Sequence, residues 1–218
     1  MTSLIKNKLC DDIWHNNPGL VQLLGLCPLL AVSNTAITAL GLALATLLTL
    51  LMSNISISLL RHIVRPEICR PVFLLIIATV VSAIELLMNA FWHELYLSLG
   101  IFVPLIIING IVISRAESFA IKNSTLAAAV DALSMGVGFA LALVTLGSLR
   151  ELIGFGTLFA HAGLIFGAAA NDFVFELNTD YRGFLLAILP PGAFIILGLL
   201  IAVKNMIDAR IALRLSKT

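Results

Sequence analysis

Charge is scarce in this 218-residue chain: 11% of residues are Asp, Glu, Lys or Arg, against 60% hydrophobic, and the mean hydropathy is +1.08. A soluble domain carries about a quarter charged residues, so the composition excludes one and points to an integral membrane protein. A net charge of +1 argues against a nucleic-acid binder, because phosphate recognition needs clustered Lys and Arg. Cysteine is scarce too. Cys10, Cys27 and Cys69 are odd in number and show no paired spacing, which argues against a disulfide framework or a self-contained metal site. A metal held through cysteine here needs ligands from another chain. No GxGxxG, P-loop, GxSxG or HExxH arrangement occurs, so no dedicated nucleotide or hydrolase site is visible. The first nineteen residues lack the apolar core and cleavage site of a signal peptide, and no removal is expected.

Long apolar runs are abundant instead. Ala36 to Leu60, Pro71 to Ala90, Leu95 to Ile113, Leu126 to Leu149 and Phe184 to Val203 each offer about the 20 residues that cross a bilayer core. Ahead of them, Leu20 to Ala36 (LVQLLGLCPLLAVSNTA) is too short for an ordinary crossing and is interrupted by Pro28. Proline removes a donor and clashes one turn back, so the expectation is a half helix over 20–32, broken near Leu26 and Cys27. Ser33-Asn34-Thr35 then reads as the cap of the helix that begins at Ala36. Residues 1–19 form a mixed-charge amphipathic lead-in, with Trp14 suited to a membrane interface.

Basic residues decide the number of crossings, since cytoplasmic loops carry the excess of Lys and Arg. With six crossings, eleven of the thirteen fall on one side and only Arg150 and Arg182 lie opposite. If residues 20–60 were one crossing, the split would weaken to nine against four. The expectation is therefore a single membrane domain over 1–218, all-α, with six transmembrane helices, cytoplasmic termini and a cytoplasmic lead-in. The fourth segment resembles the first in being interrupted, by Pro104 and then Asn109-Gly110, and two longer apolar helices follow each. Three helices followed by three of the same pattern read as two inverted repeats, over roughly 20–113 and 95–203, with the first and fourth helices broken. In such folds the interrupted helices meet near the midplane, which brings Cys27 towards Asn109 and Gly110.

Cys27 beside a helix break is a candidate iron ligand, against the plainer reading of a small apolar filler. Cys10 and Cys69 read as filler. Glu85 and Asp131 fall inside apolar stretches, where ionisable groups cost roughly 2.5–3.5 kcal/mol on insertion scales and mark ion or proton pathways. Asp131 lies only about a turn and a half into its segment, so it also reads as reaching the interface or a polar contact. Arg115 with Glu117 and Arg150 with Glu151 stand at segment ends, where docking a partner is the expected role. Gly136, Gly138 and Pro190-Pro191-Gly192 point to close packing and a local break.

Four stretches together carry a resemblance: NNPGLVQLLGLCPLLAVSNT (16–35), LGIFVPLIIINGIVISRAESFA (99–120), LGSLRELIGFGTLF (146–159) and ILPPGAFIILGLL (188–200). They are similar to the E subunit of Rnf-type ion-translocating electron-transport complexes, and more distantly to the D subunit of sodium-translocating NADH:quinone reductase. The resemblance implies a six-helix inverted-repeat subunit of the bacterial inner membrane, not catalytic alone. It also implies a homologous partner subunit of opposite orientation, an intramembrane iron–sulfur cluster shared between the two, and flavin- and iron–sulfur-bearing subunits in the same complex. Cys27 matches the first cluster cysteine of that family. The second belongs after Asn109, where this chain has Gly110, which offers no ligand. The cluster is then held by three cysteines and another donor, or is altered or absent. A secondary transporter and a purely structural membrane subunit are the competing readings, and sequence leaves open which ion moves and which groups donate and accept electrons.

Overall fold

The computed structural model describes residues 13, 14, 16–61, 64, 68–159, 175, 176 and 183–215. Cys10, most of the lead-in, Arg65, Arg182 and Lys217 lie outside the described residues. The lead-in ends on Asn17, whose side chain organises the turns that follow. Its Oδ1 accepts from the Gly19 and Leu20 amides at 2.9 and 3.0 Å, while its Nδ2 donates to the Ile13 and Gly138 carbonyls, both at 2.9 Å. These bonds offer the backbone a local alternative to a helix. Residues 18–25 are therefore turns, and the first helix among the described residues, α1, spans only Leu26–Ala31. This corrects the half helix expected over 20–32. Pro28 breaks nothing: it is the third residue of α1, where its missing N–H would have had no helical partner.

Thr35 caps the next helix, α2 (Ala36–Leu60), its Oγ1 accepting from Thr38 N at 3.3 Å. Helix α3 follows at Cys69–Phe91 and α4 at His93–Leu99. Gly100, at φ 50°, ends α4, a left-handed turn that favours glycine. Tight 3-10 turns at Gly100–Phe102 and Pro104–Ile108 lead to Asn109, which is extended and whose Oδ1 accepts from Ile111 N at 3.3 Å to start α5 (Gly110–Arg115). The chain then passes through a π-turn at Ala116–Ala120 into the longest helix, α6 (Thr125–Phe155), which Gly156 closes at φ 69°. A two-residue antiparallel ladder joins β1 (Thr157–Leu158) to β2 (Phe175–Glu176). Helix α7 (Leu185–Ile188) stops at the extended Leu189, and the Pro190-Pro191 pair opens α8 (Pro190–Leu215), so the expected break lies where the sequence put it.

Among the described residues four helices, α2, α3, α6 and α8 as far as Ile211, are long and apolar enough to cross a membrane. The stretches 20–32 and 95–113 are interrupted instead. Helix α6 runs six residues beyond the expected Leu149, carrying Arg150 and Glu151 into its last turn and a half.

Helices α2 and α6 run antiparallel and form the centre. Their approach is fixed by small residues: a Cβ built on Gly147 would come within 2.8 Å of Ala39 Cβ, and one on Gly136 within 3.2 Å of Leu47 Cγ. Close backbone packing of this kind supplies the dispersion contacts that hold helices together in lipid. Most of α3 and α8 is exposed, with Leu75, Leu86, Leu87 and Phe91 on one and Phe194, Ile195 and Leu199 on the other, as suits faces that meet lipid or another membrane subunit.

Candidate functional site at the interrupted helices

The two interrupted stretches meet. Gly25, in the left-handed conformation at φ 75°, immediately precedes α1, and a Cβ built on it would lie 2.8 Å from Asn109 Oδ1 and 2.8 Å from Phe139 Cε2. Only glycine allows both that torsion and that approach. From the other side, a Cβ on Gly110 would lie 3.3 Å from Leu24 Cδ2 and 3.9 Å from Gly25 N. Asn109 is buried, and its Nδ2 has no hydrogen-bond partner among the described residues. Cys27, two residues after Gly25 in the first turn of α1, is exposed at the chain surface. An exposed thiol at the edge of a junction can be reached by ligands from another subunit. The residues at this junction do not supply two thiolates, because Cys27 is the one cysteine there and Gly110 has no donor. Cys69 stands apart, as the partly buried first residue of α3.

Glu85 is half-buried on α3, and its Oε1 accepts a hydrogen bond from Tyr96 Oη of α4 at 3.0 Å. Its carboxyl thus faces a neighbouring segment rather than standing alone in lipid. Asp131 is 0% exposed on α6 and forms a two-pronged pair with Arg115 of α5, one prong being Nε to Oδ2 at 2.8 Å and the other Nη2 to Oδ1. A buried carboxylate needs such pairing. The pair joins the second interrupted stretch to α6.

Arg115 and Arg150 were expected, with their acidic neighbours, to dock a partner; the structure corrects this for three of the four residues. Arg115 is committed to Asp131. Arg150 is 1% exposed, and its guanidinium donates to the carbonyls of Ala187 (3.0 Å), Leu30 (3.2 Å), Ile188 (2.6 Å) and Leu189 (3.5 Å) and to Ser33 Oγ (2.8 Å). Glu151, 0% exposed, accepts from the Ala36 amide at 2.8 Å through Oε2. Adjacent residues of opposite charge thus satisfy opposite helix ends: Arg150 the carbonyl ends of α1 and α7, Glu151 the amide end of α2. Only Glu117 pairs near the surface, with Arg70 at 3.1 Å. Trp14 donates from Nε1 to Asp208 Oδ1 at 2.7 Å and lies beneath Lys204, 5.6 Å from its ring centroid, which ties the lead-in to α8.

Sequence reasoning misses Asn17 and the inward role of Arg150 and Glu151. The signal available is their place within reach of helix ends. It is masked when the helix is taken to stop at Leu149.

A family model described as the Rnf-Nqr subunit, membrane protein, matches residues 5–201. The chain is similar to a protein of Thioalkalivibrio sulfidiphilus named as the E subunit of an ion-translocating oxidoreductase complex, 66% identical over 204 residues, which cover 94% of this chain and 90% of the other. Proteins of the same name from Pseudomonas aeruginosa (strain LESB58) and Vibrio parahaemolyticus are 58% and 56% identical, over 94% and 97% of this chain and 86% and 92% of their own.

Proposed function

This chain belongs to the Rnf-Nqr family of membrane subunits, and on that footing we propose that it serves as the E subunit of an ion-translocating oxidoreductase complex in a bacterial inner membrane. Relatives more than half identical over more than nine-tenths of the chain carry that name. The observation that carries the reading further is the junction itself, where Gly25 and Asn109 touch and the Cys27 thiol opens outward. Cys27 gives one thiolate to an iron–sulfur cluster whose other ligands come chiefly from a homologous subunit of opposite orientation. An iron–sulfur cluster supplies one-electron transfer when bound; this chain's part is to hold Cys27 on a short helix pinned between Gly25 and the Arg150 clamp. Flavin- and iron–sulfur-bearing subunits complete the complex.

Six crossings arranged as two inverted repeats fit the elements. Each interrupted stretch ends in a six-residue helix, α1 or α5, and is followed by a long helix, α2 or α6. Helices α2 and α6 run antiparallel, as an inverted repeat requires. Glu85 and the Asp131–Arg115 pair line the ion or proton pathway, with both termini cytoplasmic.

The test is purification from native membranes. The chain should come out with its partner subunit, and iron and acid-labile sulfide should fall in Cys27→Ser and rise in Gly110→Cys, where an added Cβ meets the flexible end of Leu24 at 3.3 Å. Unchanged iron in Cys27→Ser would remove Cys27 from the ligand set. A chain that purifies alone and binds a small substrate would instead be a secondary transporter.

A further inference from the structure

Leu23 is held at φ 53°, a left-handed torsion that a leucine adopts only when its surroundings impose it. The imposing bonds are local. Leu24 N donates to Pro18 O at 2.8 Å, and the Val21 and Gln22 amides donate to Asn17 O at 3.0 and 3.1 Å, which closes the turn around Leu23. Burial within this chain does not offset the strain, because the Leu23 side chain is 46% exposed. A leucine turned outward at a cost to the fold points to a contact outside the chain.

Leu23 stands beside the junction of the interrupted helices. It and Cys27 are each two residues from Gly25, and Ile108, 64% exposed, is next to Asn109, so all three have their backbones within about 8 Å of the Gly25–Asn109 contact. Leu105, also exposed, lies three residues before Ile108 in a 3-10 turn, where positions three apart stack on one face. No charged residue occurs in 18–32 or 99–114, so an apolar cover suits these side chains. Lipid tails are apolar too, but the backbone excludes them. The turns over 18–25, the 3-10 turns over 100–108 and the extended Asn109 leave amides and carbonyls outside a continuous helical ladder. Such backbone at membrane depth is found against protein or water, not against acyl chains. Water does not suit exposed leucine and isoleucine, so protein remains.

We propose that Leu23, Leu105 and Ile108 seat an apolar segment of the homologous subunit of opposite orientation around Cys27, with Leu23 as the anchor. The inference rests on the reading of Cys27 as a ligand shared with that subunit, and it adds the surface that brings the other ligands to the thiol. In the intact complex in native membranes, a photo-reactive phenylalanine analogue at Ile108 should cross-link to the homologous subunit; cross-links to lipid alone, or to a different subunit, overturn the proposal. Leu23→Gly removes the side chain and relieves the torsion together. The amount of chain in the membrane should therefore hold or rise while the partner retained on purification falls several-fold, and Leu23→Met, which keeps an apolar contact, should retain most of it. Partner retention unchanged in Leu23→Gly would leave the leucine without an outside contact and overturn the proposal. Cys27→Ser separates the two readings: iron unchanged with the Ile108 cross-link intact rejects the cluster ligand alone, and iron lost with no cross-link rejects the seat alone.

Discussion

Replacing Arg150 by methionine removes a guanidinium that meets five acceptors, four of them within 3.2 Å. Hydrogen bonds to a charged group contribute roughly 1.5–3 kcal/mol each, which for four would give about 6 kcal/mol at the low end. Some of the loss is recovered, because the methionine stem keeps part of the packing and the Leu189 turn can open towards other donors. The expected destabilisation is therefore about 3–5 kcal/mol, the range for removing one side of a buried charged network. At about 2–4 °C per kcal/mol for a chain near this size, the melting temperature of the purified complex should fall by roughly 10 °C. Protease cleavage should appear first between Gly183 and Leu189, the segment the clamp holds. Arg150→Lys should recover less than half, since one ammonium cannot span the carbonyl ends of α1 and α7 together. A melting temperature within about 2 °C of wild type in Arg150→Met would refute the reasoning.

Three further outcomes follow from the same structure. Glu151→Ala leaves the Ala36 amide without its acceptor and should destabilise by about 1–3 kcal/mol in a thermal melt, with Glu151→Gln, which keeps the acceptor, losing about half as much. Gly25→Ala forces a side chain into a left-handed torsion and against Asn109 and Phe139; the combined strain and overpacking of about 2–4 kcal/mol should show as a lower melting temperature, and a neutral result would mean that the two interrupted stretches do not touch. Reporter fusions at Thr2 and Thr218 should both read as cytoplasmic, and a periplasmic signal from either end rules out six crossings with cytoplasmic termini.

The long helices were legible because apolar length and caps act locally. Thr35 and the run from Ala36 to Leu60 set α2 with no tertiary information, and Pro190-Pro191 set the break before α8. The junction was legible in outline, since Pro28, Asn109 and Gly110 all mark interruptions. Its details were not. Pro28 opens α1 instead of breaking a helix because Asn17, bonded to Gly138 over a hundred residues away, holds the preceding residues in turns. The inward use of Arg150 and Glu151 was hidden for a similar reason. Charge at the end of an apolar run looks like a membrane boundary, and only the position of the α1, α2 and α7 ends reveals that the charges are consumed inside.

The clamp also orders the assembly of the chain during synthesis. Glu151 finds the start of α2 as soon as α6 is complete, because that partner has already been made. Three of the five acceptors of Arg150 belong to residues 187–189, which emerge from the ribosome more than thirty residues later. Until then the guanidinium has only Leu30 and Ser33 to meet, so a nascent chain that stops after α6 carries an under-satisfied cation at the membrane. Arrival of the α7 turn closes that gap, and this four-residue helix is therefore the piece that makes α6 safe to leave in the bilayer.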